Sequence, residues 1–302
     1  MKHFIDGVGR KIKHLIRRDN DDGPSISSLN NSEAAILEQI IDRLHITSIT
    51  RRGVTTIKHI KQVDTWDCGL ACIQMVIDWL NDSCNTAIEE QKEQRKWMMD
   101  FVKAKSLWTI DLVMLLQHML EIHSNKVTSS SSYLFCSNHF GIDESYNTFD
   151  YYKDAFSEDE IRVKSLFDKA KQNNLPLMQV SHMSLNILIE LVSRDNVVAI
   201  VLLDNAIFNN TATGETTFDV DRSDESYSGH YVVLCGVSRD QNDINIANIN
   251  SIRDDSETHN YCFVIKNPGI WKETQFVTPS LFESVWRAKG TDEDVILVAK
   301  SS

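Results

Sequence analysis

Residues 61–72 are KQVDTWDCGLAC, and they place one thiol, that of Cys68, at the point where a loop becomes a helix. The helix is predicted because apolar residues recur every three or four positions after it: Ile73, Val76, Ile77 and Leu80. The first turn of a helix offers unpaired N–H groups and the positive end of the helix dipole. We therefore expect Cys68 to be biased toward the thiolate, the nucleophilic form of cysteine. The alternative is a buried cysteine that starts a core helix, since free cysteine is among the most buried residue types.

Gln62, Trp66 and Asp67 are the nearby candidates for contact with a substrate. Gln62 lies in the loop before Cys68, close enough to aim an amide N–H at a reacting carbonyl, as an oxyanion hole requires. Trp66 and Asp67 are expected to shape the substrate groove or to tune the thiolate. The alternatives that stay open are plain packing for Trp66 and hydrogen bonding within the loop for Asp67.

Two downstream segments supply the partners that a nucleophilic cysteine needs. Residues 229–237, GHYVVLCGV, predict a buried strand that starts at His230, and residues 261–268, YCFVIKNP, predict a strand that ends at Asn267. The proline that follows keeps Asn267 extended. A histidine can accept the proton of the thiol, and an asparagine side chain can fix the tautomer of the imidazole. The predicted catalytic residues are therefore Cys68, His230, Asn267 and Gln62.

This chain order resembles the papain-like cysteine peptidases, in which a thiolate–imidazolium pair performs acyl transfer. A narrower resemblance is to the bacteriocin-leader peptidase branch, and the most specific is to the small eukaryotic family of guanylyl-cyclase-domain-containing proteins. Five motifs carry it between residues 57 and 298: WDCGLAC (66–72), LWTIDL (107–112), GHYVVL (229–234), NP (267–268) and GTDEDV (290–295). The bacteriocin-leader enzymes generally have Asp where this chain has Asn267. Because Asn orients an imidazole without adding charge, the site is expected to be closer to that of papain.

The resemblance implies a fold and further site residues. The expected class is α+β, with a papain-like two-lobed fold in which a helical half carrying Cys68 packs against an antiparallel sheet carrying His230 and Asn267. Trp108 and Gly229 join Trp66 and Asp67 as expected substrate-binding residues.

The chain divides into a basic segment and one large domain. Residues 1–31 are expected to be a basic N-terminal segment and linker, and residues 32–302 the papain-like domain. Ser32 and Glu33 predict a helix start. Four further segments are predicted as a short strand (55–60), a central strand (197–203), a mobile flap beside the site (204–228) and a polar loop (239–258).

Three functions are compatible with these residues. The first is a thiol-dependent hydrolase of peptide or isopeptide bonds, with a peptide or protein substrate and no cofactor. The second, implied by the family name, is a guanylyl cyclase, which needs GTP and usually Mg²⁺. The sequence has no G-x-x-x-x-G-K-[ST] loop and no G-x-G-x-x-G motif after a strand. The acidic turn at residues 292–294 could hold a metal, but such a turn before a strand is expected to be solvated. The third is a catalytically silent binding module on the same scaffold.

The charge balance restricts the partners. Lys and Arg number 31 against 43 Asp and Glu, a formal net charge of −12, which argues against a nucleic-acid binder. Residues 1–18 are basic and amphipathic, so a weak peripheral contact with an anionic membrane is one interpretation, and a frayed, solvated terminus is the other.

The cysteines and apolar runs predict the compartment. The six cysteines are scattered, and Cys68 and Cys72 have no second pair at zinc spacing, so we expect reduced thiols and no metal site. No apolar run is long enough to span a membrane and no signal-peptide core is expected at the start. The predicted location is cytoplasmic, and the oligomeric state stays open.

Overall fold

The computed structural model describes residues 29–47, 53–83, 88–122, 131–148, 156–213, 227–250 and 260–300. The basic segment 1–18, with its predicted membrane contact, and most of the predicted linker lie outside these residues. None of the helices in the described ranges combines the length and apolar character that crossing a bilayer requires.

Nine helices and seven strands make up the described part of the chain. The helices are α1 (Asn31–Arg43), α2 (Cys68–Leu80), α3 (Ile88–Val102), α4 (Thr109–Ile122), α5 (Phe156–Gln172), α6 (Leu185–Val192), α7 (Asn205–Thr213), α8 (Gln241–Asn250) and α9 (Pro279–Trp286). The strands are β1 (Ser132–Ser137), β2 (Leu177–Gln179), β3 (Val197–Asp204), β4 (Gly229–Ser238), β5 (Cys262–Lys266), β6 (Gln275–Val277) and β7 (Val295–Ala299). A 3₁₀ turn covers Glu144–Thr148. The class is α+β.

The strands form one sheet in the order β2-β1-β7-β3-β4-β5-β6. All neighbours are antiparallel except β1 and β2, which are parallel. The predicted central strand is confirmed, because β3 lies between β7 and β4 and every one of its residues is buried. A continuous apolar run is what a strand buried on both faces requires.

Helices cover both faces of this sheet. Alternate residues of β3 point into two separate cores, with Val197, Ala199, Val201 and Leu203 in one and Val198, Ile200 and Leu202 in the other. Apolar residues of α1, α6 and α9 fill the first core, and those of α2, α4 and α5 fill the second. The expected fold accounted for the helical half that carries Cys68 but not for the helical layer on the opposite face.

The residues that cap the helices are of the types that the sequence predicts, but in α1 the cap lies before the predicted residue. Ser184 caps α6 by accepting the backbone N–H of Ile187. In α1 the cap is Asn30, not Ser32: the Asn30 side chain accepts the N–H groups of Ser32 and Glu33, and the Glu33 carboxylate accepts the N–H of Asn30. This reciprocal pair is a capping box with Asn in the place of Ser or Thr.

Three predicted segments were wrong. Residues 55–60 form no strand, and only Val54 makes a β-bridge, to Gly236 at an irregularity of β4. Gly236 has a φ of +147°, and a Cβ there would come 2.0 Å from the carbonyl oxygen of Gly53, so this close contact needs a glycine. The segment 239–258 contains α8, and the segment 204–228 begins with α7, while residues 214–226 lie outside the described residues. Both helices are polar, so packing of a few apolar side chains decides their structure.

Candidate active site

Cys68 is the first residue of α2, and α2 packs against β4. Gly69 makes this approach close, because a Cβ at that position would come 2.9 Å from the Leu112 side chain and 3.2 Å from the Tyr231 ring. The Cys68 sulfur accepts hydrogen bonds from the backbone N–H groups of Tyr231 and Gly69. The thiol therefore lies against β4 at the residue that follows His230.

Burial controls the charge state of this thiol. Cys68 is only 6% exposed, and burial, with a smaller contribution from the negative charge of Asp67, raises its pKa to about 11. The expected bias toward the thiolate was therefore wrong, because the cost of desolvating the anion exceeds what the N–H groups at the helix start return. Burial raises the pKa of Cys136, Cys235 and Cys262 further, to about 12.

His230 and Asn267 are in direct contact. His230 Nε2 donates to Asn267 Oδ1 at 2.8 Å. The same oxygen accepts the N–H of Gly269 at 2.9 Å, and Asn267 Nδ2 donates to Gln275 Oε1 at 3.2 Å, so the orientation of the amide is fixed on both sides. The amide oxygen can only accept, which puts the imidazole proton on Nε2 and leaves Nδ1 as the basic nitrogen.

The imidazole is neutral in this environment. His230 is buried, and the loss of water lowers its pKa, while the hydrogen bond to Asn267 opposes part of that effect. Burial disfavours the charged form of Cys68 as well. Burial therefore favours the uncharged form of each of the two groups, which opposes a resting thiolate–imidazolium pair.

Gln62 is tied to the Asn267 segment through the backbone. The Gln62 N–H donates to the carbonyl oxygen of Pro268 at 2.9 Å, and His59 Nε2 donates to that of Asn267 at 2.9 Å. The Gln62 side chain donates from Nε2 to the carbonyl oxygen of Asp64 at 2.8 Å, while its buried Oε1 has no partner among the described residues. Gln62 is not among the residues that line the pocket at Cys68, so its role in an oxyanion hole remains a prediction.

Asp67 is turned into its own loop. The N–H of Asp64 donates to its carboxylate at 2.9 Å and that of Val63 at 3.4 Å, and Arg95 Nε donates at 2.5 Å. Arg95 also pairs with the Asp64 carboxylate at 2.6 Å. These contacts support the loop-bonding alternative for Asp67, whose role toward a substrate stays a prediction.

A narrow pocket opens onto the Cys68 thiol. Trp66, Trp108 and Gly229, all expected substrate-binding residues, lie around it with Cys68. The other lining residues are Leu107, Thr109, Leu202, Tyr231, Gly290, Asp292 and Asp294. The Trp108 indole is held from behind, because its Nε1 donates to Asp159 Oδ2 at 3.0 Å.

Two carboxylates of this pocket come from a turn whose burial the sequence did not predict. The acidic turn 292–294 was expected to be solvated, but Asp294 is buried at the start of β7. The signal that could have revealed this is the apolar run that follows at once, because a residue next to a fully buried strand is seldom in water. No group of three or more His, Cys, Asp or Glu side chains suited to a metal ion occurs within the described ranges.

Comparison with known proteins assigns the chain to a family. Residues 57–298 match the family model described as "Guanylylate cyclase". The chain belongs to this family. The match extends over every residue of the site described above. A relative named "Guanylyl cyclase 1", from Arabidopsis thaliana, is 28% identical over 243 residues, which cover 80% of this chain and 75% of the relative. No solved structure matches the chain.

The cofactors that the family name implies can be tested against the pocket residues. A guanylyl cyclase needs cationic partners for a triphosphate and carboxylates for Mg²⁺. The pocket offers two carboxylates, and none of its described lining residues is Lys or Arg. The carboxylates suit Mg²⁺, but the described lining residues offer no cationic side chain for the phosphates, so they fit the nucleotide only in part.

Proposed function

We propose that this protein is a thiol-dependent hydrolase of peptide or isopeptide bonds, built as a papain-like enzyme related to the bacteriocin-leader peptidase branch. The observation that carries the proposal is the hydrogen bond from His230 Nε2 to Asn267 Oδ1, adjacent to the Tyr231 N–H that contacts the Cys68 sulfur. A nucleophile, a base with a fixed tautomer and an orienting amide are the parts that acyl transfer requires.

The proposed reaction begins from neutral groups. Cys68 Sγ attacks the substrate carbonyl while its proton passes to Nδ1 of His230, so both charges form only as the tetrahedral intermediate forms. The Cys68 N–H and the Gln62 amide stabilise the oxyanion, by about 2.7–4 kcal/mol for each donor. His230 then gives the proton to the leaving amine, and water hydrolyses the thioester. Asn267 keeps the imidazole oriented throughout and adds no charge.

The setting that we propose is a reducing one. The five cysteines within the described ranges are all free, which is typical of cytoplasmic proteins. The partner is a peptide or protein substrate, and the net charge of −12 favours neutral or basic peptides over nucleic acids.

Trapping the acyl-enzyme tests this function. The full chain is incubated with a p-nitrophenyl ester and with a library of internally quenched peptides, and covalent acylation is located by mass spectrometry. We expect p-nitrophenol to be released and the acyl group to form a thioester on Cys68 that turns over, with no such adduct in Cys68→Ala. His230→Ala should slow acylation by 100-fold or more, in the usual range of about 10²–10⁴ for general-base catalysis. Acylation that is absent, or that is equally fast in His230→Ala, would refute the mechanism.

A second candidate function is guanylyl cyclase activity, which the family match and the name of the Arabidopsis relative favour. It is tested by measuring cyclic GMP from GTP and Mg²⁺ with the purified chain and with Cys68→Ala. Cyclic GMP formation that survives the substitution would place that chemistry away from Cys68. If neither acylation nor cyclic GMP is detected, the remaining candidate is a binding module on the same scaffold.

A further inference from the structure

Two carboxylates of the pocket beside Cys68 lack a cation. Asp292 and Asp294 both line the pocket, and neither forms an ion pair within the described part of the chain. Asp292 accepts a hydrogen bond from the hydroxyl of Tyr146. Such a pair is unusual, because buried carboxylates are normally paired with a base or bound to a metal.

Asp294 has a second unusual property. The residue is 8% exposed, and the side chains of Ser137 and Thr109 donate to its carboxylate, whereas its Oδ1 is buried without a hydrogen-bond partner among the described residues. Burial and the neighbouring charge of Asp292 raise the pKa of Asp294 well above its ordinary range. A buried acceptor with no donor costs free energy, so a donor that enters the pocket gains a contact that the protein itself does not supply.

The shape of the pocket restricts that donor. The free volume is about 20 Å³, which holds about one water-sized group. A primary ammonium has this size, whereas a guanidinium or a quaternary ammonium is larger. The side chains of Trp66 and Trp108 line the pocket, and indole rings attract cations. A small cation with hydrogen-bond donors is compatible with the carboxylates, the small volume and the indole rings of this pocket.

We propose that this pocket binds a primary ammonium group of the substrate, with Asp294 and Asp292 as its charge partners. This inference rests on the proposed function, because it places the ammonium next to the carbonyl that Cys68 attacks. Two sources have this chemistry: the side chain of a lysine and the amino terminus of a peptide.

Thiol reagents that differ in charge test the proposal without a known substrate. Cys68 is modified with 2-aminoethyl methanethiosulfonate and, separately, with the neutral ethyl analogue, and the two rates are followed by mass spectrometry. We expect the cationic reagent to react about tenfold faster than the neutral one. The trimethylammonium analogue should lose this advantage because it is too large. The ratio of the cationic to the neutral rate should fall to about one in Asp294→Asn and should decrease in Asp292→Asn.

A matched control separates the pocket from the general field of an acidic protein. Glu144→Gln removes one exposed negative charge outside the pocket lining and should keep the wild-type ratio. Thermal unfolding of each variant confirms that it is folded. A wild-type ratio of one or less, or a high ratio that persists in both Asp variants or that is also lost in Glu144→Gln, would overturn the proposal.

Protection experiments identify the source of the ammonium and a competing ion. Nα-acetyl-lysine amide and glycinamide are each tested for slowing the modification of Cys68 by the neutral reagent. Protection by the first indicates a lysine side chain, and protection by the second indicates an amino terminus. Protection by Mg²⁺ alone, lost in Asp294→Asn, would replace the ammonium site with a metal site. Failure of the proposed hydrolase is seen separately, as absent acylation of Cys68 by the ester with the charge preference intact.

Discussion

Two acidic clusters lie in the pocket or behind its wall, and only one of them is paired with a basic side chain among the described residues. Asp111 and Asp159 both pair with Arg162, the latter at 2.8 Å, and Asp159 holds the Trp108 indole that lines the pocket. Asp292 and Asp294 line the pocket together with Trp108 and form no salt bridge to a basic side chain among the described residues. Asp111, Asp159 and Asp294 are buried, and Asp292 is partly buried.

The difference teaches how to separate structure from function among buried charges. A carboxylate with its own arginine is satisfied in the folded protein, and its removal should damage the fold. A carboxylate without a cation costs stability in the folded protein, so its presence calls for a reason outside the fold. The first cluster therefore positions the wall of the pocket, and the second is available to a ligand.

Removing the arginine that pairs with Asp111 and Asp159 should have the largest effect on stability. Arg162→Met leaves two buried carboxylates without their cation and should lower the free energy of unfolding by about 3–5 kcal/mol. Urea denaturation measures this loss. Lys164→Met is the matched control, because Lys164 lies on the same helix and is exposed. Equal stability of the two variants would show that Arg162 does not compensate these charges.

Removing one carboxylate from each cluster should change the free energy of unfolding in opposite directions at neutral pH. Asp111→Asn loses the Arg162 pair and should destabilise the protein by about 1–3 kcal/mol. Asp294→Asn removes a buried acid whose charge is uncompensated and should stabilise the protein. Urea denaturation of both variants at pH 7 measures the two changes, and the same sign for both would remove the distinction between the clusters.

The gain in stability of the Asp294→Asn variant over the unsubstituted protein should depend on pH. Because the pKa of Asp294 is raised in the folded state, the folded protein holds this proton more tightly than the unfolded chain does. Its contribution to stability is therefore present at low pH and is lost as the pH rises above the ordinary value of 3.8. The groups that face it are Asp292, which raises its pKa, and the Ser137 and Thr109 side chains, whose hydrogen bonds oppose part of that effect. Tyr146, His139 and Asp143 lie around Asp292. Denaturation between pH 4 and pH 7 should show the advantage of the variant growing, and a constant advantage would contradict the raised pKa.

A partly exposed pair gives the smallest effect. Arg95 joins Asp64 and Asp67, and its side chain is 23% exposed. Arg95→Met should cost about 1 kcal/mol, between an exposed and a buried pair, and should loosen the loop before Cys68. Stability and the rate of Cys68 alkylation are measured together. A loss as large as that in Arg162→Met would place this cluster with the buried ones.

The sequence was sufficient where local pattern decides structure. The start of α2 at Cys68, the strand at His230 and the strand before Asn267 all follow from short apolar patterns and neighbouring breakers. The short strands β2 and β6 were not predictable in this way, because three residues carry little pattern without the sheet beside them. The polar helix α8 was missed for the same reason.

The charge states of the site were less predictable. The helix start at Cys68 is visible in the sequence, but its burial against β4 is not, and burial reverses the expected shift of the thiol pKa. The acidic turn that ends at Asp294 has the composition of a solvated turn. Its burial depends on tertiary contacts such as the bond from the Leu202 N–H to the Asp294 carbonyl oxygen, which joins residues distant in the chain.

Competitive alkylation of the cysteines tests the central claim, that Cys68 is a nucleophile served by His230. The folded chain is treated with iodoacetamide at pH 8, and the modified cysteines are quantified by mass spectrometry. We expect faster labelling of Cys68, which lines the pocket, than of Cys136, Cys235 and Cys262 in the buried clusters, and slower labelling of Cys68 in His230→Ala. Equal labelling of all four thiols, or a Cys68 rate unchanged in His230→Ala, would contradict it.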